Sequence, residues 1–252
     1  MGADDDDKTI VEKVMGNKMV MIGVIAMAEV FGIIGLALLI HFSREYYGGY
    51  EWGDMKDGLL FTYHPLFMYL GMIFFFGNAI MSFRVMNMLP IPRVVAKCIH
   101  GGLHVCTMLF ISLGLVAINR VKKNAWMGTN NMYSTHSYWG AVTIAIYVLQ
   151  FSGGLISFLI PVLSDRIKRT FLPIHRFLGA GIFLMALITV LIGLTKMAST
   201  VGQVTGKSFS SYPEWGTVHI FTSCFIGLFV LTVMVVIINS GFKTPPKTTQ
   251  EK

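Results

Sequence analysis

The chain has 252 residues, of which 54% are hydrophobic and only 13% are charged. Because an ordinary soluble domain is roughly a quarter charged, this composition excludes a typical water-soluble protein and predicts one that lies in a lipid bilayer. The net charge of +7 does not indicate a nucleic-acid partner, since the basic residues lie between apolar segments, at the expected edges of the membrane.

The N-terminal residues 1–18 are mostly polar and are predicted to form a tail on the cytoplasmic side. Within this tail, residues 4–8 (Asp-Asp-Asp-Asp-Lys) resemble a protease recognition site of the kind added with an expression tag. We therefore expect no part of the fold to depend on them.

Six predominantly apolar segments follow along the chain, each with 18 or more residues. A helix of that length can cross a hydrocarbon core of about 30 Å. The segments cover residues 19–41, 59–83, 94–118, 136–160, 172–195 and 215–239, and prolines such as Pro161 and Pro173 fall near their edges. The sequence therefore predicts an all-α membrane protein, a six-helix transmembrane bundle over residues 19–239 with a short tail at 240–252.

The placement of the basic residues predicts the orientation of the bundle, because Lys and Arg are concentrated in cytoplasmic loops. Of the 20 Lys and Arg residues, 13 lie on the side of the membrane that carries the N-terminus. The other seven are Arg44, Lys56, Arg120, Lys122, Lys123, Lys196 and Lys207. Both termini are therefore predicted to be cytoplasmic.

Four of the seven histidines lie on four consecutive predicted helices: His64, His100, His136 and His175. Such side chains are costly at membrane depth, so they are functional candidates. His64 and His136 fall near the outer ends of their helices, and His100 and His175 fall near the inner ends. This pattern predicts two bis-histidine metal centres in the four central helices, about 20 Å apart by helix rise. Two haems would fit that spacing.

Glycines follow three of these histidines within about one helical turn, where they would leave room for a flat macrocycle. They are Gly101, Gly102, Gly140 and Gly179. Glycine is also common at ordinary helix contacts in membranes, so this signal alone is weak. The chain has no Cys-x-x-Cys-His motif, and any haem is expected to be bound noncovalently.

The remaining histidines allow other interpretations. His41 and His219 lie near the outer interface without an obvious partner, and we expect them to form hydrogen bonds. His104 lies one turn from His100 on the same face, so it could replace His100 as a ligand or bind a zinc ion together with it.

The residues around the four candidate ligands resemble the cytochrome b-561 family of ascorbate-dependent transmembrane electron carriers. The resemblance rests on residues 63–65 (Tyr-His-Pro), 97–104 (Lys-Cys-Ile-His-Gly-Gly-Leu-His), 131–137 (Asn-Met-Tyr-Ser-Thr-His-Ser), Gly140 and 172–175 (Leu-Pro-Ile-His). It implies that the chain carries two noncovalent haem b groups. By this resemblance, His64 and His136 hold the non-cytoplasmic haem, and His100 and His175 hold the cytoplasmic one.

The same resemblance implies roles for basic residues on the cytoplasmic side. Arg84 is expected to bind a haem propionate, although an arginine that only anchors its helix at the interface is an alternative. Arg93, Lys97, Lys168 and Arg169 match positions that bind ascorbate, a monoanion that fixed cations would attract. The tendency of basic residues to lie on the cytoplasmic side would also place them there.

On the outer side, the family resemblance implies a substrate region at Asn131 and Tyr133. Some members also use a histidine in the preceding loop, where this chain has Lys122, Lys123 and Asn124. This departure leaves two acceptors open, a ferric chelate or the monodehydroascorbate radical. The resemblance further implies a homodimer in the plasma membrane or in the membrane of a secretory or endo-lysosomal vesicle.

Two other functional classes remain open from the sequence. A metal-ion or proton transporter would use membrane histidines together with carboxylates along one pathway, and Glu29 in the first helix is the one such carboxylate. For Glu29 itself, a buried hydrogen bond is favoured over proton transfer. The third class is a haem-bearing anchor subunit of a larger quinol-oxidising complex, which would need partner subunits.

Overall fold

The computed structural model describes residues 3–52, 59–123, 132–160, 163–205 and 213–239, and every regular element in these ranges is a helix. Six helices are long and apolar enough to cross a membrane. We number them α1 to α6, with bounds Ala3–Tyr47, Leu59–Met86, Arg93–Lys123, Thr135–Leu159, Asp165–Thr205 and Pro213–Ile238. The prediction of an all-α, six-helix membrane protein is confirmed, while the C-terminal tail 240–252 lies outside the described residues.

Two helices begin at least seven residues earlier than the apolar segments indicate. α1 begins at Ala3 rather than at residue 19, and α5 begins at Asp165, which places Pro173 inside the helix instead of at its edge. A proline in a helix leaves the carbonyl four residues earlier without its N–H donor. That carbonyl belongs to Arg169, an exposed residue, so water at the membrane edge can replace the missing donor.

The winding of α2 changes along its length. It consists of a 3₁₀ turn (Leu59–Thr62), an α-helical turn (Tyr63–Met68), a π-helical segment (Tyr69–Phe75) and a final α-helix (Phe76–Met86). In the π-helical segment α2 comes very close to α3, since a Cβ on Gly71 would lie 3.0 Å from the carbonyl oxygen of Thr107. Such segments shift the register of side chains along a helix and are frequent near functional sites.

The helices pack in pairs. α2 packs against α3, α4 packs against α5, and α1 packs mainly on α6. The Tyr69 hydroxyl donates a hydrogen bond of 2.6 Å to the carbonyl oxygen of Gly32, which joins α2 to α1. A Cβ on Gly35 would lie 2.9 Å from the same hydroxyl, so this close approach requires glycine. α1 and α6 thus form a side layer beside the four helices that carry the candidate ligands.

Aromatic side chains fill the middle of those four helices. The Phe76 ring lies 4.9 Å from the ring of Tyr147 and 5.1 Å from that of Phe183, measured between centroids. Both contacts are edge-to-face, a favoured geometry for aromatic pairs, and the three side chains are no more than 1% exposed. A packed core therefore separates the end of the bundle that is predicted to be outer, with His64 and His136, from the end that is predicted to be inner, with His100 and His175.

Candidate functional site

His64 of α2 and His136 of α4 meet at the outer end of the bundle, with ring centroids 6.1 Å apart and ring planes at 88°. Two imidazoles that bind one metal ion from opposite sides, through bonds of about 2 Å, hold their nitrogens about 4 Å apart. The ring centroids then lie further apart by one ring radius on each side. The observed separation therefore matches a metal ion held between the two histidines.

Backbone carbonyls orient both outer histidines. The Nδ1 atom of His64 lies 3.0 Å from the carbonyl oxygen of Gly114, and that of His136 lies 3.0 Å from the carbonyl oxygen of Thr189. A neutral imidazole that donates its Nδ1 proton to a carbonyl keeps the Nε2 lone pair for a metal. Both rings are thus fixed in the tautomer that a metal ligand requires.

His100 of α3 and His175 of α5 form the corresponding pair at the inner end, with centroids 6.4 Å apart and ring planes at 69°. The Nδ1 atom of His100 lies 2.7 Å from the carbonyl oxygen of Ala79, and the Ser82 hydroxyl lies 3.4 Å from the same nitrogen. His100 is therefore oriented by the backbone, like the two outer histidines.

His175 differs because, among the described residues, its Nδ1 is contacted by a side-chain amide and not by a backbone carbonyl. The amide nitrogen of Gln150 lies 2.9 Å from Nδ1 of His175 and donates to the backbone carbonyl of His175 at 2.6 Å. An imidazole that binds a metal through Nε2 carries its proton on Nδ1, so the Gln150 side chain would then have to rotate, because here its amide nitrogen faces Nδ1 and donates to the His175 carbonyl. Gln150 is a residue that the sequence reasoning missed.

Two glycines make room for ligand rings on the facing helix. A Cβ on Gly193 of α5 would lie 2.7 Å from Cε1 of His136, and one on Gly154 of α4 would lie 2.8 Å from Cε1 of His175. α4 thus supplies a glycine to the histidine of α5, and α5 supplies one to the histidine of α4. A larger residue at either position would contact the imidazole ring too closely, because real Cβ atoms do not come within 3.0 Å of another side chain.

The glycines chosen from the sequence lie in less crowded positions. A Cβ on Gly101 or Gly102 would meet no atom within 4 Å, and one on Gly140 or Gly179 would make ordinary contacts at 3.4 and 3.7 Å. The open space beside Gly101 and Gly102 could receive a flat group, but a larger residue would fit there as well. The signal that could have found Gly154 and Gly193 is their spacing, since each lies 18 residues after a candidate ligand on its own helix.

The depth of the two pairs follows from α3, which contacts both. His100 belongs to the inner pair, while the carbonyl of Gly114 binds His64 of the outer pair. These residues are 14 positions apart, so the two levels are separated by about 21 Å along the helix. The spacing expected from the sequence is therefore present in the fold.

His104 has the contacts of a hydrogen-bonded core residue. Its Nδ1 atom lies 2.8 Å from the Tyr147 hydroxyl, and its ring packs edge-on against Phe76 and His100, with centroids 5.5 and 4.5 Å away. Among the described residues no group of three His, Cys, Asp or Glu side chains could hold a metal ion, so the zinc interpretation lacks a third ligand there.

His41 and His219 lie apart from the two pairs. The exposed His41 packs edge-on against Tyr46, with centroids 6.2 Å apart, and the ring of His219 lies 6.0 Å from that of Phe42. Phe42 and Trp215 belong to a small buried cluster at the outer end of α1 and α6. A hydrogen bond with the backbone of Leu194 agrees with the role expected for His219, whereas the hydrogen bond expected for His41 stays a prediction.

Arg84 contacts the last turn of α6. Its guanidinium donates to the carbonyl oxygens of Ile237 at 2.8 Å and Asn239 at 3.5 Å, and Arg176 of α5 lies within its electrostatic reach. Arginines commonly stabilise the carbonyls at a helix C-terminus in this way. The predicted contact with a haem propionate stays a prediction. The two observed bonds use one nitrogen of the guanidinium, and its remaining N–H donors are left for such a contact.

The predicted ascorbate residues lie in the first turns of α3 and α5. Arg93 and Arg169 are exposed, whereas Lys97 and Lys168 are partly buried. The Lys97 ammonium donates a 2.9 Å hydrogen bond to the carbonyl of Phe158, whose ring lies 5.2 Å from that of His175. Cations at a helix N-terminus are disfavoured by the positive end of the helix dipole. An anion bound there would be attracted by the basic side chains and by the dipole.

The outer substrate region contains a lysine that the sequence reasoning did not select. The ammonium of Lys196 lies 3.9 Å above the centroid of the Tyr133 ring. Lys196 follows Gly193 by three residues and thus shares its face of α5, which is the face toward His136. Asn131, the other residue predicted here, lies outside the described residues.

Glu29 has a hydrogen-bond partner on the neighbouring helix. Its carboxylate bonds to Asn78 of α2, and Tyr69 lies within its electrostatic reach. None of the groups that act on Glu29 among the described residues is a histidine. The pathway of carboxylates and histidines that a transporter would need is therefore not seen around this residue.

The residues present fit two haem groups. In each pair, the separation of the two ring centroids leaves room for one metal ion between the imidazoles, as a haem held by two histidines would require. At the outer end, the buried Tyr47 hydroxyl has no hydrogen-bond partner among the described residues, and its ring stacks on Phe61 at 5.4 Å, three residues before His64. A buried hydroxyl normally finds a partner, and a carboxylate of a bound group would supply one.

The six spanning helices and the two imidazole pairs define a class of protein, the multi-pass membrane haem proteins. Comparison with known proteins agrees with this class. Residues 63–200, more than half of the chain, match the family model described as eukaryotic cytochrome b561. The chain belongs to the cytochrome b561 family, whose members are membrane oxidoreductases that use haem b.

Similar proteins cover nearly the whole chain. The human lysosomal membrane ascorbate-dependent ferrireductase CYB561A3 is 27% identical over 214 residues, which are 85% of this chain and 87% of the relative. The bovine transmembrane ascorbate-dependent reductase CYB561 is 28% identical over 221 residues, 88% of this chain and 84% of the relative. The human protein of the same name is 28% identical over 230 residues, with coverages of 90% and 86%.

Proposed function

We propose that this chain is a transmembrane reductase that passes electrons from cytoplasmic ascorbate, through two bis-histidine haem b groups, to an acceptor on the opposite side of the membrane. One observation carries the proposal. Two histidine pairs with ring separations of 6.1 and 6.4 Å lie at opposite ends of one bundle. The similar proteins named above, which are ascorbate-dependent reductases, support the choice of electron donor.

His64 and His136 hold the outer haem in this proposal, and His100 and His175 hold the inner one. Bound in this way, haem b supplies one-electron chemistry without an open iron position for oxygen. The protein contributes fixed ring orientation, because carbonyl oxygens and Gln150 hold the Nδ1 side of each imidazole. The aromatic core between the pairs excludes water from the interval of about 21 Å.

On the cytoplasmic side, we assign ascorbate to the N-terminal ends of α3 and α5. Lys97 and Lys168 lie partly buried there, with Arg93 and Arg169 exposed beside them. Four cations and two helix N-termini together attract a monoanion and hold it near the inner pair. Arg84 and Arg176 add positive charge at the same end and could bind the propionates of the inner haem.

On the outer side, we assign the acceptor to the region around Tyr133 and Asn131, with a ferric chelate or the monodehydroascorbate radical as the molecule reduced. The excess of basic residues on one side supports an orientation with both termini in the cytoplasm. The family resemblance supports a homodimer and a location in the plasma membrane or a vesicle membrane.

Sealed vesicles test this function. Ascorbate is trapped inside vesicles in which the cytoplasmic face of the protein points inward, and ferric citrate is added outside. We expect ferrous iron to form outside although neither solute crosses the membrane. An imposed potential, negative inside, should speed the reaction, because moving one electron charge through it is worth about 2.3 kcal/mol per 100 mV.

The control is His136→Ala, which is expected to remove the outer haem. This variant should stop the reduction of outside iron while trapped ascorbate still reduces the remaining pigment. If it reduces outside iron at the parental rate, the electrons do not pass through the proposed outer site.

A further inference from the structure

A carboxyl side chain lies within the membrane-spanning part of α1. Glu29 is 14 residues from Met15, where the spanning part begins, and 18 residues from Tyr47, where it ends. An ionisable side chain at such a position costs free energy, so it is a functional candidate until its contacts explain it. The electron-transfer function proposed above gives Glu29 no role.

Contacts along α2 place Glu29 at the depth of the inner histidine pair. Its carboxyl group bonds to Asn78 of α2. The next residue, Ala79, has its carbonyl oxygen 2.7 Å from Nδ1 of His100. Successive residues of a helix differ in depth by only about 1.5 Å. α2 therefore contacts Glu29 of α1 and His100 of α3 at nearly the same level of the membrane.

Opposing influences act on the two protonation states of Glu29. A carboxyl group away from water is stabilised as the neutral acid, whereas an amide N–H stabilises the carboxylate. Glu29 is half-buried. The amide nitrogen of Asn78 donates to the carbonyl oxygen of Phe74 at 3.1 Å and has a second hydrogen for Glu29. A change of charge nearby can therefore move a proton onto or off this side chain.

The other groups around Glu29 carry no fixed charge. On α2, the hydroxyl of Tyr69 faces it, and this hydroxyl is bonded to a backbone carbonyl of α1. On α6, residues 225–238 contain no ionisable side chain. The first ionisable residue after Asn78 on α2 is Arg84, six positions or about 9 Å toward the inner end. Arg84 bonds to the end of α6, at the expected membrane edge, so a proton has a short distance to travel between Glu29 and water.

We propose that Glu29 is a proton-binding site coupled to the redox state of the inner centre. The carboxylate takes up a proton when the inner centre is reduced, and it releases the proton when the electron moves on. This inference rests on the proposed function, because it assumes a redox-active group held by His100 and His175. Reduction removes a positive charge from the inner end, after which a proton on Glu29 is repelled less.

The charges and atoms of this step balance. Inside, the ascorbate monoanion gives one electron to the inner centre and one proton to water, and it becomes the monodehydroascorbate radical anion. Glu29 binds one proton from water, so the inner end gains an electron and a proton together. When the electron passes outward, the carboxylic acid returns its proton to water. The only bonds that form or break are O–H bonds.

A redox titration of the haem-loaded protein at several pH values tests this site. In the parent, the inner midpoint potential should rise as the pH falls, because proton uptake by Glu29 favours the reduced state. Glu29→Gln has no charge at any pH. Its inner potential should match the parent at low pH and exceed it at high pH. We expect a difference of about fivefold in the reduction equilibrium, or about 40 mV for a one-electron couple, as for charges more than one helix width apart.

Two further variants control the comparison. Glu45→Gln makes the same substitution at an exposed position near the outer end of α1, and it should leave the inner potential and its pH dependence unchanged. Glu29→Asp keeps a carboxyl group and should keep a pH dependence that Glu29→Gln lacks. If Glu29 only joins α1 to α2 through Asn78, glutamine would serve equally well and the potentials of Glu29→Gln would equal those of the parent.

Infrared difference spectra between oxidised and reduced protein give a second measurement, made on the parent itself. A band of a protonated carboxyl group should appear on reduction, remain in Glu45→Gln and be missing from Glu29→Gln. A parent protein without an inner haem would overturn the proposed function and this inference together. Equal pH dependence of the inner potential in the parent and Glu29→Gln, or no carboxyl band in the parent, would overturn the inference alone.

Discussion

The outer and inner histidine pairs have similar ring separations but different supports. At the outer end both rings are oriented by backbone carbonyls, those of Gly114 and Thr189. At the inner end only His100 has such a carbonyl, while His175 depends on the side chain of Gln150. A carbonyl cannot be removed by substitution, whereas a side chain can. A single substitution at Gln150 can therefore change the orientation of a ring in the inner pair, whereas no single side chain orients the rings of the outer pair.

The two ends also differ in their surroundings. His104 lies 4.5 Å from His100 and adds a third imidazole at the inner end. No third histidine of the described residues has a ring contact with His64 or His136. The inner end is therefore where the sequence offers two candidate ligands on α3, His100 and His104, and where substitutions are most informative.

The largest expected effect comes from removing an inner ligand. His175→Ala should abolish the inner haem and leave one haem per chain, because an iron that loses an axial ligand is held much less firmly. His104→Ala should leave both haems, since its contacts are those of a residue bonded to Tyr147. Haem content by pigment extraction and the optical spectrum measure both results. Loss of haem from His104→Ala with retention in His100→Ala would reverse the ligand assignment.

A smaller and selective effect is expected from the two facing glycines. Gly154→Ala should weaken the inner haem alone and Gly193→Ala the outer haem alone, because the new Cβ would press on His175 or His136. Overpacking of this kind costs about 1–3 kcal/mol, or about 5–150-fold in affinity. Competitive transfer of haem to an apoprotein acceptor would measure the loss from each site. Gly227→Ala, where a Cβ meets nothing within 4 Å, is the control and should change neither site.

The smallest effect tests the different support of His175 directly. Gln150→Leu removes the amide that contacts Nδ1 of His175 and should weaken the inner haem about tenfold, the lower end for loss of such partners. Gln150→Glu places a carboxylate acceptor at Nδ1 and should make the imidazole a stronger donor to iron, so the inner midpoint potential should fall. A redox titration that resolves two transitions would show the inner one moving alone. Equal movement of both transitions would mean that the two ends are not independent.

Much of this arrangement could be predicted from local sequence. Helix length and apolar composition predicted the six spans, and the positions of His64, His100, His136 and His175 along their helices predicted which two rings meet at each end. The ring separations agree with that pairing. Their role as haem ligands stays a prediction, as does the assignment of Arg93, Lys97, Lys168 and Arg169 to ascorbate.

The missed residues share a physical reason. Gln150, Gly154, Gly193 and Lys196 act on groups of a facing helix, and the register between two helices is set by packing that no single segment encodes. The glycines selected from the sequence lay on the ligand's own helix, where periodicity can be seen. The start of α5 was also predicted too late, so that Pro173 was expected at its edge. Apolar composition marks the part of a helix that lies in lipid, and the polar first turns of α5 extend beyond that part.

The reciprocal contacts between α4 and α5 have a further consequence. On each helix, 18 residues separate the histidine from the glycine that receives the facing ring, namely His136 from Gly154 and His175 from Gly193. α4 and α5 are antiparallel. A rotation by 180° that superposes α4 on α5 therefore places His136 at the position of His175, and Gly154 at the position of Gly193. Under the proposed function, the backbone of these two helices would therefore favour neither direction of electron transfer. The direction of net transfer would then depend on the electrochemical gradient between the two compartments and on the side chains at the two ends of the bundle.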